Sequence, residues 1–110
     1  NREAIEGGAD ILAHPGIISE ADVALAKEKG VLLEISGRRG HSLGNGRVGL
    51  LAKQIGASLI FNTDSHSPSD LVTEEEARKV VVGAGLMAED FYKMQQNALD
   101  FVKRVLRERA

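Results

Sequence analysis

The sequence predicts an α/β fold of parallel β/α units, and three observations carry that reading. A short apolar run, a polar loop and a helical pattern follow one another three times. The apolar runs are near-continuous rather than alternating, as in strands covered on both faces. Each helical pattern stops at a glycine, the residue best able to close a helix.

Strands are expected over residues 9–13 (Ala-Asp-Ile-Leu-Ala), 31–35 (Val-Leu-Leu-Glu-Ile) and 57–61 (Ala-Ser-Leu-Ile-Phe). Residues 1–8 look like a helix tail, with Ala4 and Ile5 ahead of a Gly-Gly stop. After the first strand, Ser19 and Asp22 form a capping box, and Ile18 and Val23 stand at hydrophobic-staple positions. They open a helix from about Glu20 to Lys29, stopped by Gly30. Val48, Leu51 and Ile55 mark the second helix, stopped by Gly56. Thr73 with Glu76 caps the third, whose stripe of Ala77, Val80, Val81 and Ala84 ends at Gly85. A final helix carries Phe91, Met94, Ala98, Phe101, Val102 and Val105 on one face, which is expected to be core.

The composition removes several function classes. Fourteen Lys and Arg against sixteen Asp and Glu leave a net charge of −2, so no positive field supports nucleic-acid binding. With 43% apolar and 27% charged residues the chain suits one soluble, folded domain, and its longest apolar run is far short of a membrane span. There is no cysteine, hence no disulfide framework, thiolate cage or thiol nucleophile, and any metal must use His and carboxylate. The chain opens on Asn1 with no initiator Met and no charged-then-apolar leader. It is read as a processed product or a piece of something longer, with a cytoplasmic location.

Chemistry-bearing residues gather where the strands end. His14 follows the first strand, Glu34 and Ser36 close the second, and Asn62, Asp64 and His66 follow the third. In a parallel sheet these ends share one edge, where loops converge and ligands bind. All three histidines, His14, His41 and His66, fall in these post-strand loops. In Asp64-Ser65-His66, residues two apart in extended chain project to one side, so a carboxylate and an imidazole could reach one cation. Such donors suit Zn²⁺, Mn²⁺ or Fe²⁺ and can make bound water a nucleophile near neutral pH. A capped turn with an exposed His would explain the tripeptide alone. Pro15 holds His14 extended and Gly16 lets the chain turn at once, which aims the imidazole beyond the strand. The loop 36–46 is glycine-rich and carries Arg38 and Arg39, whose guanidinium forks match phosphate geometry; a solvated loop is the plain alternative. Glu34, within an apolar strand, needs a cation or donors nearby.

Together these residues resemble the carboxyl-terminal half of the polymerase and histidinol phosphatase (PHP) superfamily of metal-dependent phosphoesterases. The resemblance rests on Asp10-Ile11-Leu12-Ala13-His14-Pro15-Gly16, Leu33-Glu34-Ile35-Ser36 and Asn62-Thr63-Asp64-Ser65-His66. It implies a fragment of a distorted TIM-like β/α barrel, with about three parallel strands and four helices over residues 1–110, the amino-terminal half being absent. It implies His14, Asp64 and His66 as metal ligands, Asp64 and His66 as catalytic, and Glu34 with Ser36 lining the site. The cofactor would be a divalent metal (Zn, Mn or Fe), multinuclear in the intact protein. The family's amino-terminal His-x-His pair, further His ligands and bridging glutamate have no counterpart here. Arg38, Arg39 and His41 fall in a variable loop, and their assignment to substrate phosphate is our own inference.

The expected function is hydrolysis of a small phosphate ester by metal-activated water, with weak or no activity in this chain alone. The alternatives are a non-catalytic PHP-like structural or partner-binding module of a polymerase or ribonuclease assembly, or another metal hydrolase such as a deaminase on a similar barrel. Three strands taken from a barrel leave an inner face and two open edges, so the expected partner is the remainder of the parent barrel or, by preference, a second copy in a homodimer.

Overall fold

The computed structural model describes residues 1–13, 15–37, 44–62 and 73–109. Its elements run α1 (Arg2–Glu6), β1 (Ile11–Leu12), α2 (Glu20–Lys29), β2 (Leu32–Ser36), α3 (Asn45–Ile55), β3 (Leu59–Asn62), α4 (Glu74–Gly83) and α5 (Ala88–Arg109). The three strands are parallel and lie in sequence order with β2 central. This is the predicted α/β class. The described sheet has three strands and five helices flank it, one more than expected, because the leading segment forms a five-residue helix of its own.

Every strand begins later than the apolar runs suggest, for one shared reason. The first residue of each run closes the preceding helix: Ala9 N–H donates to Ala4 O (3.1 Å), Val31 N–H to Ala26 O (2.9 Å) and Ala57 N–H to Ala52 O (3.1 Å). The glycines before them, Gly8, Gly30 and Gly56, have φ of 88°, 70° and 93°, which allows this closure without a Cβ penalty. The predicted caps form. Ser19 Oγ accepts from Asp22 N–H (3.1 Å) and Thr73 Oγ1 from Glu76 N–H (3.1 Å). The Asp22 carboxylate meets Arg2 Nε at 3.0 Å, which joins α1 to α2.

Paired residues of parallel strands share a face, and residues alternate along each strand. Leu12, Leu33, Ile35, Leu59 and Phe61 therefore occupy one face. They join the main core with Val23 and Ala26 of α2, Val48, Leu51 and Ala52 of α3, Ala77 and Val81 of α4, and Phe91 and Met94 of α5. Ile11, Leu32, Glu34, Ser36, Ile60 and Asn62 occupy the other face. Ile60 lies outside the core cluster yet is only 7% exposed, and Ile11 and Leu32 are half-buried, so this face is not bare.

α5 departs from expectation along its length. Phe91 and Met94 are buried, but Phe101 and Val105 are half-buried and Val102 is 51% exposed. The helix packs its first half on β3 and α4, then runs past the amino-terminal ends of the strands. There, Asn97 Nδ2 donates to Leu59 O (2.8 Å) and Arg104 Nη2 to Asp10 Oδ1 (3.0 Å). Twenty-two residues outrun what three strands can cover. No helix among the described residues is long and apolar enough to cross a membrane.

The start of α5 is tied to α3 by Asp90. Burial alone would raise the Asp90 carboxyl, but the hydrogen bond from Lys53 Nζ (2.9 Å), that from Met87 N–H (2.8 Å) and the charges of Lys53 and Lys93 outweigh it. The group is held below its ordinary value of 3.8. A carboxyl lowered in the folded state adds stability above its unfolded value, and that stability is lost as pH falls through the folded value. Asp90→Asn should therefore lower the thermal midpoint at pH 7, with the gap to the unsubstituted protein closing below about pH 4. A gap unchanged at pH 3 would show that the charge is not its source.

Candidate functional site

β1, β2 and β3 end at Leu12, Ser36 and Asn62 on one edge of the sheet. Glu34 and Ser36 are buried at 2% and 0% exposure, and Asn62, paired in register with Ser36, is exposed at the rim. Asn62 Nδ2 donates to Glu34 Oε2 at 3.3 Å. A carboxylate taken out of water needs such donors, and the expected requirement of Glu34 for one is met in part by the next strand. Glu34, Ser36 and Asn62 thus form a polar row on the face opposite the main core.

The carboxyl end of β2 is secured by Asn45, the first residue of α3. Asn45 is 5% exposed; its Nδ2 donates to Ser36 O (2.8 Å) and its Oδ1 accepts from Ser36 N–H (3.0 Å). Two contacts hold α3 against the loop that leaves β1. Gly44 packs so closely on Gly16 that a Cβ would stand 2.5 Å from the Gly16 carbonyl oxygen. Arg47 Nε donates to Ile18 O at 2.6 Å. Pro15 O accepts from Asn1 Nδ2 (2.8 Å), which pins the same loop from α1. The chains leaving β1 and β2 are thus brought side by side by backbone contact, which explains the demand for glycine at position 44.

Of the residues expected to line the site, Glu34 and Ser36 stand together on the strand-end edge. His14, Arg38, Arg39, His41, Asp64 and His66 lie outside the described residues. Among the described residues no three His, Cys, Asp or Glu side chains gather as a metal group, and none of the three histidines is among them. Two surface clefts belong to the other end of the sheet. One of about 280 Å³ is lined by Lys53, Ser58, Asp90, Lys93 and Asn97, and one of about 300 Å³ by Asp10, Leu32, Phe101 and Arg104. Both border the starts of the strands, away from Glu34.

Sequence reasoning overlooked Asn45 and Arg47. Asn45 stands in the loop read as solvated or phosphate-binding, and its one signal is an Asn placed where an apolar-spaced helix opens, a position that favours side-chain bonding to backbone.

The chain is 38% identical over 104 residues to the uncharacterized protein MJ1295 of Methanocaldococcus jannaschii, an alignment that covers 94% of the chain and 46% of that protein. The chain spans about half the length of the curated relative it matches. No family profile matches the sequence. No solved structure matches it.

Proposed function

We propose that the chain is the carboxyl-terminal part of a PHP-type metal-dependent phosphoesterase, its three strands a segment of a distorted TIM-like barrel. The observation that carries this reading is the buried Glu34 carboxylate, held by Asn62 at the strand-end edge from which the sequence continues directly into Asp64 and His66. A carboxylate in this position, on the face away from the core, suits chemistry rather than packing. The alignment over 46% of a longer relative fits a chain that supplies one part of a larger site.

The donor set of two imidazoles and a carboxylate, His14, His66 and Asp64, fits Zn²⁺, Mn²⁺ or Fe²⁺. A divalent cation held there would supply Lewis acidity and lower the pKa of water toward neutrality. Glu34 would line the inner side of the site, Asn62 fixing its carboxylate. Arg38, Arg39 and His41 would receive the phosphate of a small phosphorylated substrate through charge-assisted hydrogen bonds. The remainder of the parent barrel, or a second copy of the chain, would complete the ligand set. Three ligands can hold a metal without completing a cluster, so this chain alone should turn over slowly.

Titration of the chain with Mn²⁺ should show one saturable site. A longer protein with an upstream His-x-His pair should hydrolyse p-nitrophenyl phosphate with Mn²⁺ and stop when a chelator is added. A chain that binds no Mn²⁺, beside a parent inactive on the ester at any metal concentration, would overturn the reading.

A further inference from the structure

The hydrogen bonding of β2 alternates between its neighbours. Leu32 N–H donates to Asp10 O on the β1 side (3.0 Å), whereas Leu33 N–H donates to Ser58 O (3.0 Å) and Gly37 N–H to Asn62 O (2.9 Å) on the β3 side. By this alternation the N–H and C=O of Ser36 face β1. β1 ends at Leu12, however, and its chain turns away through Pro15 and Gly16, whose φ is 65°. The Asn45 side-chain amide occupies the place that β1 vacates: it offers one acceptor and one donor to Ser36, as a neighbouring peptide would. The amide orientation follows from the partners, since only Oδ1 can accept from an N–H and only Nδ2 can donate to a carbonyl.

We infer that Asn45 is a positioning residue, which stands in for the missing strand and so holds the end of β2, and with it the Glu34 carboxylate, in register while β1 leaves the sheet. Without it, the end of β2 would lose two hydrogen bonds at the point where Glu34 meets Asn62. The arrangement matches the buried Ser36 N–H and C=O beyond the end of β1. The consequence for a metal rests on the phosphoesterase reading; the consequence for Glu34 does not.

The test uses the whole chain, with ¹⁵N spectra and Mn²⁺ titration. In Asn45→Ala the Ser36 amide should exchange with solvent at least about 10-fold faster, while Leu33 on the same strand changes little. The side-chain amide resonance of Asn62 should move as Glu34 shifts. Mn²⁺ affinity should fall about 10- to 100-fold, the size expected for groups that orient a metal site from behind, and this loss should vanish in a Glu34→Gln background. Should Asn45→Ala fail to fold, Asn45→Asp keeps the acceptor for Ser36 N–H but loses the donor to Ser36 O and sets a carboxylate against that carbonyl, so the Asn62 resonance should still move while Ser36 exchange changes less. Unchanged Ser36 exchange and Asn62 resonance in a folded variant would overturn the inference. If the unsubstituted chain binds no Mn²⁺, the metal reading falls, and the Asn62 resonance still decides the role of Asn45.

Discussion

Asp64→Ala is expected to weaken Mn²⁺ binding by this chain by more than about 100-fold, beyond the 10- to 100-fold typical of groups that only orient a ligand. In the proposed set His14, Asp64 and His66 the carboxylate is the single negative donor, so its removal would take away both a ligand and the charge that offsets the cation. Asp64→Asn separates the two, because it preserves shape and one oxygen while removing the charge, and should lose most of the affinity. Calorimetric titration measures both. Equal affinity in the unsubstituted chain and both variants would remove Asp64 from the ligand set.

The second large effect is on folding. Leu33 lies on the central strand, fully buried, between Leu12 and Leu59 and against helices α2 and α3. Truncation there leaves a cavity bounded by strands on both sides, which cannot collapse easily. Leu33→Ala should cost about 2–5 kcal/mol, a large share of the roughly 5–15 kcal/mol available to a domain of this kind. Leu50, 58% exposed on α3, provides the contrast: Leu50→Ala should stay within about 0.5 kcal/mol. Urea unfolding would measure both, and a Leu33→Ala cost as small as that of Leu50→Ala would contradict the assigned core.

The caps at Ser19 and Thr73 and the stops at Gly30 and Gly56 were legible because each depends on residues within one turn of chain, and the β/α order because apolar runs and helical periods alternate along the sequence. α4 instead ends at Gly83, capped by Ala84 ahead of the expected Gly85. Strand starts were misplaced by one or two residues, since an apolar residue that closes a helix looks the same as one that opens a strand until hydrogen bonds are assigned. The stripe on α5 was read as wholly buried because periodicity tells which face of a helix is apolar and says nothing about how far its partner extends. Glu34 was legible as a carboxylate in need of partners, while its link to Asn62 depends on strand register across 28 residues of sequence. Asn45 was invisible because its purpose is created by the departure of β1, a tertiary event with no local pattern.

The sequence order of the strands bears on how the chain reaches its native state. Each strand pairing closes a loop of only roughly 20 to 30 residues, so the sheet can grow by successive addition of neighbours at small entropic cost. The bond from Arg104 to Asp10 spans 94 residues and can form only when the rest of the sheet is in place. It is also an exposed ion pair, flanked by exposed Val102 and Leu106, and contributes little holding energy. The carboxyl-terminal half of α5 is thus expected to dock last and release first, a latch on an otherwise locally wired fold.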